Sequence, residues 1–294
     1  MNKVGFIGVG IMGKSMVRNL MKAGFELHIY ARTKSKVEDV IGEGAQFHES
    51  IKDCVQDCDA VITIVGFPQD VEEVYFDEGN ILDSAKEGAY LIDMTTTSPQ
   101  IAEKIYAEGT KRGLHMMDAP VTGGDTGAKA GTLSILVGGE KEDYEACMPL
   151  FEAMGTNINY QGKAGCGQHC KLANQIMIAG TLSGVCEALT YAKEQGLDPE
   201  VFMKSVATGA AGSKQLDTFG PKILKDDYAP GFFMKHFIKD MKLALIEANR
   251  KGLSLDVLSM VLANYEELEQ EGYGDLGTQA LMKFYDEEHR NTEE

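Results

Sequence analysis

An α/β region followed by an all-α region is the fold this sequence predicts, and three observations carry the prediction. Short β-rich runs alternate with amphipathic helical stretches through the first half, strand-like patterns largely stop after residue 163, and one helix-compatible run over 167–195 separates the two regimes. At 294 residues the chain exceeds a usual single-core domain of about 100 to 200 residues. Two domains are therefore expected, over 1–163 and 164–294, with the long run as a central helix joining them.

The elements follow in order. VGFIGV reads as the first strand and 11–23 as the helix after it; LHIYA, AVITIV and AYLIDM are further strands, with a helix over 34–41. Such alternation builds βαβ units on a parallel sheet. LHMMDAP, LSILVGG and NINYQG form a second cluster of strands, with an acidic helix beginning near Glu140 among them. The 167–195 run is ended by Gly196, with Pro199 soon after. At about 1.5 Å per residue it is long enough to cross the molecule. Small and apolar residues occupy all its faces, and Gly180, Gly184 and Ala188 recur four apart, so neighbours must approach it closely on several sides. The stretches 235–251 and 255–270 continue the helical pattern, and the chain ends in an acidic tail expected to be solvated.

Composition narrows the function classes. With 44% hydrophobic and 25% charged residues the chain can bury a sizeable core. A formal net charge of −17 repels a phosphate backbone, so nucleic-acid binding is not expected, and any anionic ligand needs a local basic cluster. The opening MNKVGFIGVGIMG mimics a secretion signal, but its spaced glycines and the lack of a small-x-small cleavage site favour a strand. No window holds roughly 18 uninterrupted apolar residues, so neither a membrane span nor a membrane partner is expected, and the cytoplasm is the expected compartment. Six cysteines do not make a disulfide framework in a chain of this length. Cys166 and Cys170 bracket His169, yet no second ligand cluster recurs downstream, so reduced thiols and no metal are expected.

Chemistry enters at Gly8-Val9-Gly10-Ile11-Met12-Gly13, which closes a strand and opens a helix. That context makes the glycine spacing a dinucleotide fingerprint: Gly8 for the tight turn, Gly10 for approach of the pyrophosphate, Gly13 for helix–strand packing, and N–H donors at the helix start for the anion. The first domain is thus read as a Rossmann-like dinucleotide-binding domain. An NAD enzyme usually places an acid on the ribose 2′-hydroxyl about 20 residues after the glycines. Here the second strand ends at Tyr30 and Ala31, and Arg32, Thr33, Lys34 and Lys36 follow. This cluster suits a 2′-phosphate, so NADP(H) is expected over NAD(H); solvated surface charge is the alternative. In the block 118–132, Thr122, Gly123 and Gly124 offer a hydroxyl and exposed backbone N–H groups to a carboxylate, although alone the block also reads as a glycine-rich turn. Lys171 begins the long helix and shares one face with Asn174 and Gln175. A lysine there is either a working group or a snorkelling stem.

Four segments, 8–13, 118–132, 165–175 and 239–244, together resemble the β-hydroxyacid dehydrogenase family, and the resemblance spans nearly the whole chain. It implies hydride transfer between NADP(H) and a small β-hydroxyacid or semialdehyde acid of the 3-hydroxyisobutyrate, tartronate semialdehyde, glyoxylate or succinic semialdehyde type. By the same resemblance Lys171 is the catalytic acid/base, and Gln175 or Asn174 the helper amide. Thr122, Gly123 and Gly124 become the substrate carboxylate site. Thr96 and Lys239 become nicotinamide-side contacts, and Phe67 and Pro68 a loop over the cofactor. A cleft between the domains is the expected place for substrate, and a homodimer or homotetramer the expected assembly. Two departures stand out: Thr122 replaces a common Ser, adding a methyl beside the substrate, and Gln175 stands where the family often has Asn. Competing readings are a catalytically silent NADP(H)-binding or sensor protein, an imine reductase on the same fold, and a phosphogluconate-type decarboxylating enzyme. Lys171 beside a carboxylate site argues against the first; the second usually lacks this lysine, and the third has a much longer helical region. His28, His48, His115, His236 and His289 are expected to be structural.

Overall fold

Strands with Val, Ile, Phe and Leu at nearly every position are stable only when both sheet faces are covered. The computed structural model, which describes residues 1–285, shows that cover; His289 and the acidic tail lie outside the described residues. The chain runs β1 (Lys3–Ile7), α1 (Ile11–Lys22), β2 (Glu26–Tyr30), α2 (Glu38–Gly42), β3 (Gln46–Phe47), α3 (Ile51–Val55), β4 (Ala60–Thr63), α4 (Pro68–Phe76), α5 (Ile81–Ser84), β5 (Tyr90–Asp93), α6 (Pro99–Lys111) and β6 (His115–Asp118). These strands lie parallel in the order β3-β2-β1-β4-β5-β6. Strand order reverses between β1 and β4, and ligands of such sheets bind at the carboxyl ends beside that reversal. Met16, Val17 and Leu20 of α1 pack with Val4, Phe6, Ile29 and Ile62 on one face. Val55, Val71, Tyr75 and Ile105 pack with Ile7, Val61 and Leu91 on the other.

One expectation is corrected here. The helix expected over 34–41 is a 3₁₀ turn (Lys34–Lys36) followed by α2: Lys34, Ser35 and Lys36 are exposed, whereas Val37 and Val40 are buried in the core and Ile41 packs against it. The strands that follow β6 do not all continue the parallel course. β7 (Val121–Thr122), α7 (Gly124–Ala130), β8 (Leu133–Gly139), α8 (Lys141–Ala146), α9 (Met148–Met154) and β9 (Gly155–Gly162) follow β6, and β8 runs antiparallel to both β6 and β7. β6 and β7 line one edge of β8, interrupted at Pro120, which has no N–H for the ladder. β9 pairs with β8 in parallel.

The chain divides into two compact units, one from Met1 to Lys171 and the other from Leu172 onward. α10 (Cys166–Glu194) contributes its first turn and a half to the first unit and the rest to the second. In the second unit Leu172, Ala179, Leu182, Cys186 and Leu189 of α10 form a core with residues of α13 (Met234–Arg250) and α14 (Asp256–Gln270), among them Phe237, Met241, Val261 and Tyr265. A pair of shorter helices, α11 (Pro199–Val206) and α12 (Lys214–Ile223), and a 3₁₀ segment (Thr278–Tyr285) complete it. By length and a mean window hydropathy of 1.2, α10 is the one helix among the described residues able to cross a membrane. Its buried side chains form the core of the second unit.

Candidate active site

The turn after β1 is built by close approach. A Cβ on Gly8 would stand 2.0 Å from the carbonyl oxygen of Ile64, and φ there is +97°, so no other residue fits without moving β4. A Cβ on Gly13 would meet the Gly8 carbonyl oxygen at 2.1 Å in the same sense, whereas nothing lies within 4 Å of a Cβ on Gly10. The fingerprint thus presents open space at Gly10, with α1 starting at Ile11 and no side chain of Gly10 to cap it. Ile11 is exposed and Met12 half-buried beside this opening.

Beyond β2, Arg32, Thr33 and Lys36 are exposed, as a 2′-phosphate contact requires. Arg32 does not stand as an isolated cation, because its Nη2 donates to Asp70 Oδ1 at 2.7 Å. The other Asp70 oxygen accepts from the Phe67 N–H at 2.9 Å, capping α4, whose first residue is Pro68. Loop residues Phe67 and Pro68 and the cationic turn are therefore joined through one carboxylate.

At the end of β5 the threonines of 95–97 make a turn held from three sides. Thr95 N–H donates to Asp93 Oδ1 at 3.1 Å, and Thr95 Oγ1 accepts from Val65 N–H at 3.0 Å. Gln168, fully buried in the first turn of α10, donates from Nε2 to the Thr95 carbonyl at 2.7 Å and accepts from Thr97 N–H through Oε1 at 3.0 Å. Half-buried Thr96 lies between two buried threonines, so its placement is dictated by its neighbours. Asp118, ending β6, accepts from Gly165 N–H and Gln168 N–H, both at 2.8 Å. Burial pushes the Asp118 carboxyl up, and those two N–H groups oppose the shift. Gly167 permits the arrangement, since a Cβ there would lie 2.4 Å from the Leu136 carbonyl oxygen and 2.6 Å from that of Asp118. Lys171, 7% exposed, follows on this clamped start of α10.

Thr122 ends β7 half-buried, and Gly123 and Gly124, at φ +128° and +64°, turn the chain into α7. Asn19 of α1 donates to the Ala128 carbonyl at 2.7 Å, so the proposed carboxylate block is fastened to the fingerprint helix. In the second unit, buried Gln175 donates from Nε2 to Asp240 Oδ2 at 2.6 Å and accepts from Asn174 Nδ2 at 2.8 Å. Lys239 Nζ lies 3.0 Å from Asp240 Oδ1, and Asp240 is fully buried. Asp70, Asp93, Asp118, Gln168 and Asp240 were not singled out by sequence reasoning. An acid three residues after a helix-capping position with Pro between, as at Asp70, was the one local signal available.

The histidines make local contacts instead: His28 Nδ1 lies 2.9 Å from His48 Nε2, and His115 pairs with Asp143 at 2.8 Å. Cys54, Cys58, Cys147 and Cys186 are buried thiols pushed up by burial, Cys58 to about 12. Among the described residues no three His, Cys, Asp or Glu side chains gather as a ligand set.

The chain is similar to known proteins over nearly its whole length. Residues 3–162 match a family model described as the NAD binding domain of 6-phosphogluconate dehydrogenase. Residues 165–285 match one described as the NAD-binding region of NADP-dependent 3-hydroxyisobutyrate dehydrogenase. An uncharacterized oxidoreductase of Bacillus subtilis is 50% identical over 96% of this chain and 98% of its own length. A probable mitochondrial 3-hydroxyisobutyrate dehydrogenase-like protein of Arabidopsis thaliana is 44% identical over 95% of this chain and 84% of its own. The structure of Mycobacterium tuberculosis 3-hydroxyisobutyrate dehydrogenase with L-serine superposes with a TM-score of 0.88 at 26% identity, covering 96% of this chain and 98% of that one. With a dinucleotide fingerprint, a clamped helix start bearing a buried lysine and family models over both halves, the chain belongs to the β-hydroxyacid dehydrogenase family, NAD(P)-dependent oxidoreductases acting on CH–OH groups.

Proposed function

We propose that this protein interconverts a small β-hydroxyacid and its semialdehyde acid with NADP(H) preferred over NAD(H), and that Lys171 is the proton donor and acceptor. The observation that carries the reading is Lys171 itself, a 7%-exposed ammonium-bearing side chain on a helix start fixed by Asp118 and Gln168. Lysines are rarely buried this far without a specific role, and the position marks Lys171 as a working group. The residues present fit the dinucleotide. Open backbone at Gly10 with the N–H groups of the α1 start suits a pyrophosphate, and exposed Arg32, Thr33 and Lys36 suit a 2′-phosphate. When bound, the nicotinamide supplies or takes the hydride. Thr122 with the backbone N–H groups of Gly123 and Gly124 holds the substrate carboxylate. In reduction Lys171 stabilises the developing alkoxide and gives it a proton; in oxidation it takes the hydroxyl proton. Gln175 is committed to Asp240 and Asn174, so Asn174, half-buried with its carbonyl still to offer, serves as the helper amide and Gln175 as its support.

Exposed apolar side chains on the helical unit, including Met177 and Tyr191 of α10 and Val257 and Met260 of α14, support self-association as a homodimer or homotetramer. The deciding assay is a panel of semialdehydes, glyoxylate and β-hydroxyacids followed by nicotinamide absorbance with each cofactor. Turnover confined to acid-bearing substrates and faster with NADPH is expected. No turnover across the panel, or equal efficiency with both cofactors, overturns the corresponding part of the reading.

A further inference from the structure

The cationic run after β2 is less open than its sequence promises. Asp70 Oδ1 holds Arg32 Nη2 at 2.7 Å, and the Asp70 side chain is 18% exposed against 68% for Arg32. With its second oxygen fixed by the Phe67 N–H, the carboxylate is the anchored partner and the guanidinium the mobile one. Glu73, farther along α4, adds negative potential at the same guanidinium. Lys34 lies 3.6 Å from Glu49 and over the Phe47 ring, which draws its charge elsewhere. The local balance is thus nearer neutral than Arg32, Lys34 and Lys36 alone imply.

We propose that Asp70 is a specificity-determining residue for the cofactor: its carboxylate holds Arg32 in an ion pair that a 2′-phosphate must share, and so sets how far NADP(H) is favoured over NAD(H). This rests on the reading of Arg32 as the 2′-phosphate contact. A guanidinium has five N–H donors in a planar fork, so Arg32 bonded to Asp70 still has donors for a phosphate. The phosphate, however, brings close to two negative charges to a site where a carboxylate stands one hydrogen bond away from the shared cation. A ribose 2′-hydroxyl brings none and can accept or donate beside the same pair. Asp70 therefore penalises one cofactor and leaves the other almost untouched. Because the same carboxylate caps α4 at Phe67, the discriminating charge is fastened to the loop read as covering the cofactor and cannot swing away when the phosphate arrives.

The test compares kcat/KM for NADPH and NADH in the full-length protein for Asp70→Asn, Asp70→Ser, Arg32→Ala and the Arg32→Ala/Asp70→Asn double variant. Asp70→Asn removes the charge and keeps an oxygen for the Phe67 N–H; Asp70→Ser is a second short capping side chain, so loss of the α4 start cannot imitate the effect. Glu72→Gln, which removes an exposed charge on the same helix that pairs with Lys104 at 3.2 Å, is the control. The NADPH-to-NADH ratio is expected to rise about 3- to 10-fold in both Asp70 variants, in keeping with one exposed charge pair, and to rise less as salt increases from about 50 to about 500 mM. The gain is expected to be smaller in the double variant, where the shared cation is gone and only direct repulsion between Asp70 and the phosphate is relieved, and to be absent in Glu72→Gln. An unchanged or lowered ratio in both Asp70 variants, while Arg32→Ala still lowers it, overturns the role of Asp70 and leaves Arg32 standing. So does an equal gain in Glu72→Gln, which would mark a diffuse charge effect. If Arg32→Ala leaves the ratio unchanged, the reading of Arg32 fails and the role of Asp70 falls with it.

Discussion

Replacing Asp93 by Asn should stabilise the protein at neutral pH and do nothing of the kind in acid. Asp93 is 2% exposed; Oδ1 accepts from Thr63 Oγ1 at 2.8 Å and from Thr95 N–H at 3.1 Å, while Oδ2 has no hydrogen-bond partner. Burial raises its carboxyl from 3.8 to about 6, and nearby Asp118 adds to the rise. Since the folded value lies above the unfolded one, the native state retains a proton that the unfolded chain has released. The protonated group is therefore accommodated fully below about pH 4, and stability is lost as pH climbs through about 6. A difference of roughly two pH units corresponds to about 3 kcal/mol at pH 8. The amide of the Asp93→Asn variant would offer an oxygen to the same two donors without a charge to desolvate. Urea unfolding of wild type and Asp93→Asn, followed by far-UV circular dichroism, should give midpoints that nearly match below about pH 4 and a higher midpoint for the variant at pH 8, with unchanged slopes. A variant destabilised equally at both pH values would refute the reasoning, because the ionised carboxylate would then be welcome in the fold.

Other predictions concern the site directly. Lys171→Ala should lower turnover by about 10² to 10⁴ while leaving NADPH binding by fluorescence little changed, and Lys171→Arg should fail almost as badly because a guanidinium hardly releases a proton. Parallel loss of binding and turnover would make Lys171 structural. Aldehydes without an acid group should react at least about 30-fold more slowly than acid-bearing ones of equal size if Thr122, Gly123 and Gly124 hold a carboxylate; steady-state comparison of such a pair decides it. Gly167→Ala should cost about 1 to 3 kcal/mol, since the added Cβ meets the carbonyl oxygens of Leu136 and Asp118 at 2.4 and 2.6 Å, neither of which can yield without moving a strand. A thermal midpoint equal to wild type would show that the backbone relaxes around it.

Everything carried by spacing along the chain was legible in the residues alone. The 8–13 glycines, the alternation of strand and helix, the start and stop of α10 near 167 and 195 and the place of Lys171 on it are patterns among near neighbours, and they are found in the structure where they were expected. The antiparallel course of β8 and the partners of the site's charged and amide side chains come from contacts between distant segments. Arg32 meets Asp70 across 38 residues, Asp118 meets Gln168 across 50, Gln175 meets Asp240 across 65 and Gln168 meets Thr95 across 73. No period in the chain encodes such meetings. They arise because backbone donors and carboxylates buried by packing must find partners wherever the fold has brought them. An arginine in a turn can be identified from its neighbours in sequence, but whether it stands alone or beside a fixed carboxylate depends on distances in space, and electrostatic energy is set by those distances and the medium between the charges.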